Sequence, residues 1–264
     1  MEIFQAIILG AVQGLTEFIP ISSSGHLVLV RELFNWEDSG VVFDIILHLG
    51  TLLAVIIFFR KDWIQIFKDL ANPKSNNNLL WFLIIATIPT FTVGFLLKDF
   101  INGIFRDALW VSAFLIIIGF VFLLAEKYSN IKLQKKELKQ MSWKDALIIG
   151  LVQVLTLLPG VSRSGMTISA GLFRSLKRTE STRFSFLMAS VAISGASLYG
   201  LFDLLNNNES TINYTAVAVG FIFSFALGYL SIKYLMRFLE NHKLNIFAYY
   251  VIIIGIFIFV IQWL

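Results

Sequence analysis

The stretch Gln13-Gly-Leu-Thr-Glu-Phe-Ile-Pro-Ile-Ser-Ser-Ser-Gly-His26 places polar and ionisable residues inside an apolar region of the chain. Gln13 and Glu17 are four residues apart, so an α-helix stacks them on one face. Pro20 ends that helix, because proline has no N–H donor and clashes with the preceding turn. Serine favours the start of a helix, where unpaired N–H groups attract anions. The stretch therefore predicts a helix, a break with a polar tip, and a second helix.

The composition indicates an integral membrane protein with a single domain over residues 1–264. The chain has 264 residues, of which 57% are hydrophobic and 14% charged, whereas soluble proteins are about 45–50% apolar. It contains no cysteine, which excludes disulfides and thiolate metal sites. The net charge of +4 comes from basic residues in loops. Such charge reports orientation in a bilayer and predicts no nucleic-acid partner.

The polar stretch has a second copy later in the chain. Residues 10–16 (GAVQGLT) match residues 150–156 (GLVQVLT), and residues 22–25 (SSSG) match residues 162–165 (SRSG). Each copy breaks at a proline, Pro20 or Pro159. Paired interruptions in corresponding places of two halves indicate an intramembrane binding site. The copies differ in their chemistry, since the first carries Glu17 and His26 and the second adds Arg163.

Segment lengths predict six transmembrane helices plus two re-entrant helical hairpins, an all-α membrane fold. A spanning helix needs about 20 apolar residues, and the apolar segments at each polar stretch are too short. The predicted hairpins are 4–18 with 27–34, and 143–158 with 166–173. The predicted spans are 41–59, 79–97, 108–125, 184–205, 215–234 and 246–264.

Each half then holds one hairpin and three spans. Residues 1–126 form the first repeat and residues 142–264 the second, joined by a polar linker over 126–140. Three is an odd number of spans, so the second repeat is inverted relative to the first. Broken backbone at membrane depth is tolerated only where it is buried in protein or lines a wet cavity. We therefore expect the two tips to meet near the bilayer midplane.

The basic residues predict the orientation of this layout. One set of loops holds 17 of the 21 Lys and Arg residues, and basic loops stay in the cytoplasm. The opposite side carries only Arg31, Lys98 and Arg106. Both termini are then outside, the first hairpin enters from outside, and the second enters from the cytoplasm.

The residues of the two tips together suit the chemistry of a lipid phosphate ester or diphosphate. Arg163 offers a planar fork that matches phosphate oxygens. Glu17 and His26 can move protons, and a hydroxyl such as that of Ser23 can attack phosphorus once a base activates it. Attack by His26 or by a metal-bound water remains open. A divalent ion on Glu17 would neutralise further phosphate charge.

Structural interpretations of the same residues stand beside these. Ser22, Ser24, Ser162 and Ser164 are also ordinary helix caps. Gln13 and Gln153 are also suited to hydrogen bonds between membrane helices. Glu17 and Arg163 could form a structural ion pair, and Asp44 with His48 an internal pair near the outer surface.

The chain resembles the undecaprenyl-diphosphate phosphatase family of the bacitracin-resistance type. The resemblance rests on Gln13-xxx-Glu17, on PISSSGH at 20–26 and on LPGVSRSG at 158–165. It extends to FDIILHLGT at 43–51 and FSFL at 184–187, and so covers nearly the whole chain. Two departures are Gln13, where many members carry Glu, and Val191, where proline is common. The Ser-Gly-His string is also similar to phosphatidic-acid-type lipid phosphatases. Those need a second His with a nearby Asp after their Ser-Arg motif, and the next His after Arg163 is His242, so that family is set aside.

The resemblance implies hydrolysis of undecaprenyl diphosphate to the monophosphate, which recycles the carrier lipid of cell-wall synthesis and confers bacitracin resistance. It places Glu17, Ser23, His26 and Arg163 at essential positions, and implies aid from Mg²⁺ or Ca²⁺. It also implies a multi-pass protein of the bacterial inner membrane, with the site open to the outer side. Monomer and homodimer remain open. The expected diphosphate-binding residues are Gln13, Ser22, Ser24, Gly25, Ser162, Ser164 and Gly165.

A second class of function also agrees with the sequence. Inverted repeats with broken helices that meet at the midplane are typical of transporters. The chain could therefore move a polyprenyl phosphate across the membrane, alone or besides hydrolysing it. The residue types favour hydrolysis, since a Ser, His, Glu and Arg set exceeds what phosphate binding requires.

Overall fold

A computed structural model describes residues 2–37, 40–72, 78–104, 108–132, 134–206 and 213–262, which fold into α-helices with no β-strand among them. Short 3₁₀ turns stand at Leu138–Gln140 and Leu155–Leu157. The helices in chain order are α1 (Ile3–Phe18), α2 (Ser23–Leu33), α3 (Gly40–Phe58), α4 (Arg60–Ala71), α5 (Leu79–Ile104), α6 (Ala108–Ile131), α7 (Trp143–Val154), α8 (Arg163–Phe173), α9 (Arg178–Asn206), α10 (Tyr214–Asn241) and α11 (Asn245–Ile261).

Four of the described helices are long and apolar enough to cross a bilayer. They are α3, α10 and the stretches Leu79–Leu97 and Leu109–Ile131 of α5 and α6. The other two predicted spans, α9 and α11, fall outside this group. The 29-residue α9 begins with the polar sequence RTESTR, and α11 has only 17 residues.

One helix and one segment boundary differ from those expected. The amphipathic helix α4 was not predicted, because its charged sequence RKDWIQIFKDLA reads as a loop beside the spans. The predicted linker over 126–140 begins too early, since α6 continues to Ile131. Glu126 is buried, and its carboxylate accepts hydrogen bonds of 2.7 and 2.8 Å from Arg178 and one from the backbone N–H of Leu244. These bonds join the last part of α6 to the starts of α9 and α11.

Close backbone contact fixes α1 against α10. A Cβ atom added to Gly10 would lie 2.5 Å from the carbonyl oxygen of Gly220, and one added to Gly14 would lie 2.6 Å from that of Ser224. Only glycine permits such an approach, and small residues are the usual means of helix packing in membranes. The depth and rotation of α1, which carries Glu17 near its end, are thereby set.

The two halves pack on each other reciprocally. The first arm of each polar stretch lies on a helix of the other half, α1 on α10 and α7 on α5. The pairs α3 with α9 and α6 with α11 also join the two halves. The core therefore runs across the halves rather than within each of them. Some of the charges that predicted orientation, Lys74 and Arg106, lie outside the described residues.

Candidate active site

The first tip connects α1 to α2 through a strained residue. Backbone N–H of Ile21 donates to the carbonyl of Ile19, at 2.7 Å, after Pro20 has interrupted the helix. Ser22 then has φ 71° and ψ 92°, and a non-glycine residue with positive φ costs about 1–3 kcal/mol. Such strain persists where the surrounding structure holds it. It turns the chain so that α2 begins directly at Ser23.

The carboxylate of Glu17 is buried, with 7% of the residue exposed, and is surrounded by donors. Its Oε2 atom accepts a 2.6 Å hydrogen bond from Ser23 Oγ and a 3.0 Å bond from Gln13 Nε2. Its Oε1 atom accepts from Arg163 Nη2, and His48 Nε2 lies 3.9 Å from Oε2. A buried carboxylate needs this degree of compensation. Glu17 is therefore the centre of the cluster.

The second tip reaches the first one. The Ser162 side chain caps α8 by accepting from the backbone N–H of Gly165, at 3.2 Å. Arg163, the first residue of α8, forms the ion pair with Glu17, and the hydroxyl of Ser164 donates to the carbonyl of Ile19 at 3.4 Å. The expected meeting of two tips is thus present between the described residues.

A cavity of about 500 Å³ lies at this junction. Its polar wall comes mainly from the tips, with Glu17, Ser22, Ser23, Ser24, Ser162 and Arg163. Its apolar wall includes Phe91 and Phe95 of α5, Leu157, and Tyr199 of α9. A space with an anion-compatible end and an aromatic end suits an amphipathic ligand.

The remaining expected binding residues lie behind this lining. Gln13 is fully buried and faces Glu17. Gly25 and Gly165 are buried, and a Cβ atom added to Gly165 would collide with the ring of Phe122. Ser164 is buried at the contact between tips. These residues shape the tips, while Ser22, Ser24 and Ser162 reach the cavity itself.

The structure does not bring His26 into the lining of the cavity. Its Nδ1 atom lies 2.8 Å from the carbonyl oxygen of Ser22, and its Nε2 atom lies 2.7 Å from the hydroxyl of Tyr250. Both ring nitrogens are thus engaged away from Glu17. Its role as a proton carrier stays a prediction.

His48 lies in the cavity wall, where the sequence interpretation did not place it. We expected Asp44 and His48 to pair, but the Asp44 carboxylate binds Arg31 with a shortest distance of 2.5 Å. His48 instead bonds through Nδ1 to the backbone carbonyl of Asp44, at 2.8 Å, and directs Nε2 towards Glu17. The sequence signal that could have identified His48 as a site residue was its position within an apolar span.

Other polar residues of the lining were also missed as site residues. Gln153 Nε2 donates to Thr90 Oγ1 at 2.9 Å, linking α7 to α5. The bond agrees with the structural interpretation of Gln153, yet the residue also faces the cavity. Thr87 and Thr156 complete this part of the wall.

The described residues offer few ligands for a resident metal ion. Among them, no group of three or more His, Asp or Glu side chains could hold one. Glu17 supplies a single carboxylate, with His48 beside it. Magnesium ions are commonly held by one or two carboxylates together with substrate phosphates. Glu17 is therefore the residue that would hold such an ion together with a phosphate-bearing ligand.

The helices and the cavity define a membrane protein whose buried carboxylate, hydroxyl and guanidinium face a common space. The chain belongs to the family of the bacitracin resistance protein BacA, whose family model matches residues 6–257. It is similar to the undecaprenyl-diphosphatase of Chlorobaculum parvum, with 43% identity over 97% of this chain and 95% of that protein. It is also similar to undecaprenyl-diphosphatase 3 of Bacillus cereus, with 40% identity over 100% of this chain and 98% of that protein. The undecaprenyl-diphosphatase of Methanosphaera stadtmanae is 44% identical over 97% of this chain and 96% of that protein.

Proposed function

We propose that this protein is an undecaprenyl-diphosphatase, which hydrolyses undecaprenyl diphosphate to undecaprenyl phosphate and inorganic phosphate. The observation that carries the proposal is the 2.6 Å hydrogen bond from Ser23 Oγ to Glu17, beside Arg163 in one cavity. A hydroxyl paired with a carboxylate is an activated nucleophile. The relatives' names point to the same substrate.

In the first step Ser23 Oγ attacks the terminal phosphorus of the diphosphate. Glu17 takes the hydroxyl proton as the Oγ–P bond forms, because its Oε2 atom already accepts that proton in a hydrogen bond. The bond between the terminal phosphorus and the bridging oxygen breaks, and undecaprenyl phosphate leaves. The proton passes from Glu17 to the departing lipid phosphate.

In the second step water attacks the phosphoserine. Glu17 accepts a proton from the water, the bond between phosphorus and Ser23 Oγ breaks, and Oγ regains a proton. Inorganic phosphate leaves, and the cluster returns to its starting protonation. One carboxylate serves both steps, because Glu17 lies at hydrogen-bonding distance from Ser23 Oγ. This is the atom that bonds to phosphorus in the first step and is released in the second.

Charge on the transferred phosphoryl group is balanced by the second tip. Arg163 can turn donors of its planar fork from Glu17 to phosphate oxygens. The start of α8 at Arg163 adds the field of a helix N-terminus. Phosphoryl transfer depends mainly on positioning and on such neutralisation of charge. A divalent ion held by the substrate's phosphates and Glu17 would add to that neutralisation.

The membrane arrangement we propose has six spans and two re-entrant hairpins. Helices α9 and α11 join the four apolar helices as spans, and the α1–α2 and α7–α8 pairs dip into the bilayer. Reciprocal packing of α1 on α10 and of α7 on α5 supports two inverted repeats, residues 1–126 and 142–264. The distribution of basic residues over the loops supports both termini lying outside the bacterial inner membrane, and we propose that the cavity opens to the outer side.

Phosphate release by the purified protein tests the proposed function. We expect release of inorganic phosphate from undecaprenyl diphosphate in detergent, with undecaprenyl phosphate as the lipid product. Each divalent cation is supplied in turn, and a chelator provides the control. If no cation supports release while the protein moves labelled lipid diphosphate across liposomes, the protein is a lipid transporter.

A further inference from the structure

The two tip helices are held in place to very different degrees. In α8 every residue from Ser164 to Leu172 is buried. In α2 only Gly25 and Leu27 are buried, and the helix packs mainly on α1. Polar contacts therefore contribute a large share of what fixes α2. One of them joins His26 to Tyr250, which lies 224 residues further along the chain on α11.

Hydrogen-bond chemistry assigns the direction of this contact. The carbonyl oxygen of Ser22 is only an acceptor, so His26 Nδ1 must carry the proton that bonds to it. In the neutral ring Nε2 is then the acceptor, and the hydroxyl of Tyr250 donates to it at 2.7 Å. The two rings are also nearly parallel, with centroids 5.8 Å apart and planes 13° from parallel. Geometry thus fixes the ring of His26 in both plane and tautomer.

The same contact reaches the nucleophile through the strained residue. The carbonyl of Ser22 accepts from the backbone N–H of His26, at 3.2 Å, and from its Nδ1 atom. These two bonds hold the residue whose φ is 71°. The next residue, Ser23, directs its hydroxyl to Glu17. A chain of contacts therefore runs from Tyr250 through His26 and Ser22 to Ser23.

A tyrosine hydroxyl in a membrane span requires a partner, because the lipid surroundings provide none. Tyr250 is 40% exposed, so its ring faces outward while its hydroxyl turns to His26. Its neighbour Tyr249 is 55% exposed. Two adjacent tyrosines on one helix thus differ in their relation to the site.

We propose that Tyr250 is a positioning residue for the phosphatase reaction. Its hydroxyl fixes His26 against the carbonyl of Ser22, and this contact holds Ser23 opposite Glu17. The proposal rests on the proposed function for its effect on turnover. The contact from Tyr250 to His26 stands independently of that function. His26 acts in this account through the backbone of the tip.

Tyr250→Phe tests the proposal, because it keeps the ring and removes only the hydroxyl. We expect kcat for undecaprenyl diphosphate to fall about tenfold, the usual scale for one lost hydrogen bond. KM should change less than twofold, since Arg163 and the serines of the second tip are untouched. Tyr249→Phe is the matched control and should retain wild-type kcat. Equal kcat in wild type and Tyr250→Phe would overturn the proposal.

A double-mutant comparison separates positioning from general destabilisation. In a His26→Ala background, Tyr250→Phe should produce no further loss of kcat, because the contact is already absent. Losses that simply multiply would show that Tyr250 acts independently of His26 and would overturn the proposal.

Nitrogen-15 NMR of the histidine rings supplies a readout that does not require activity. The chain has three histidines, and His48→Gln and His242→Gln assign the signals. Wild type should show His26 protonated at Nδ1, with an Nε2 signal that moves in Tyr250→Phe and not in Tyr249→Phe. An Nε2 signal that does not move in Tyr250→Phe would show that the contact between Tyr250 and His26 is absent, and would overturn the proposal. An inactive wild type with the expected signals would instead refute the proposed function.

Discussion

Arg163 and Glu17 form an ion pair between two helical tips, although 146 residues separate them in the chain. Each would be a costly buried charge on its own. Among the described residues that line the cavity, Arg163 carries the only guanidinium and Glu17 the only carboxylate. The ion pair brings these two groups together. The pair joins the two halves at the point where chemistry is proposed to occur.

Replacement of Arg163 by lysine should be nearly as damaging as replacement by alanine. Lysine keeps the charge but loses the planar fork that binds two phosphate oxygens. We expect kcat/KM to fall about 10²–10³-fold in both variants, the scale for loss of a donor that stabilises transition-state charge. Phosphate release measures the effect, with the exposed Arg60→Lys as a matched control. Near-normal turnover of Arg163→Lys would reduce Arg163 to a counter-charge.

Glu17→Gln should abolish turnover while the substrate still binds. Glutamine keeps the shape of the side chain and loses the base that receives the Ser23 proton. We expect a loss in kcat of at least about 10³-fold, with lipid diphosphate binding within a few-fold of wild type. Glu32→Gln, an exposed position on α2, should behave as wild type. A normal kcat in Glu17→Gln would contradict the mechanism at its centre.

Ser23→Ala distinguishes the nucleophile. Removal of Oγ should reduce phosphate release at least about 10³-fold if this atom attacks phosphorus. Ser24→Ala should cost less, because Ser24 lines the cavity without contacting Glu17. Substantial activity in Ser23→Ala would point to a water or to His26 as the attacking group. A trapped phosphohistidine would then identify His26 as the attacking group, and the absence of any phosphoenzyme would identify water.

His48→Leu should impair the reaction more than His48→Gln. His48 directs Nε2 towards Glu17 across 3.9 Å, and glutamine keeps a polar group there while leucine does not. We expect about a tenfold fall in kcat/KM for the leucine variant. His242→Leu, on the exposed end of α10, is the control. If both His48 variants were as active as wild type, His48 would have no role in the reaction.

Single cysteines test the orientation. The chain has no native cysteine, so Glu37→Cys and Gln134→Cys can each be labelled alone. Both positions are exposed. An impermeant thiol reagent should reach position 37 from the outer side and position 134 only from the cytoplasmic side. Labelling of both from one side would overturn the inverted layout.

The tips were predictable from the sequence because their signals are local. A proline, a serine run and an ionisable residue within a few positions mark a broken helix, and the second copy marks its counterpart. Contacts that depend on distant helices were not predictable. The spacing of Asp44 and His48 suggested a pair, but Arg31 of α2 binds Asp44 more closely. Nothing near His26 in the sequence indicates Tyr250.

Helix α4 shows what hydropathy alone does not predict. Its first residue follows the end of α3 with only Phe59 between them, so the apolar pattern stops while the backbone remains helical. Hydropathy detects burial in lipid and not helicity as such. The same reasoning explains the late end of α6, whose last residues are polar although Glu126 is buried by contacts from the starts of α9 and α11.

The two kinds of wall in the cavity have a consequence for the order of events after catalysis. The reaction makes one product that is soluble in water and one that remains in the bilayer. The serines and Arg163 form a polar wall that suits phosphate, whereas Phe91, Phe95 and Tyr199 form an apolar wall that suits an isoprenoid chain. In the proposed two-step reaction the lipid product leaves first, and phosphate follows along the polar wall once water has cleaved the phosphoserine.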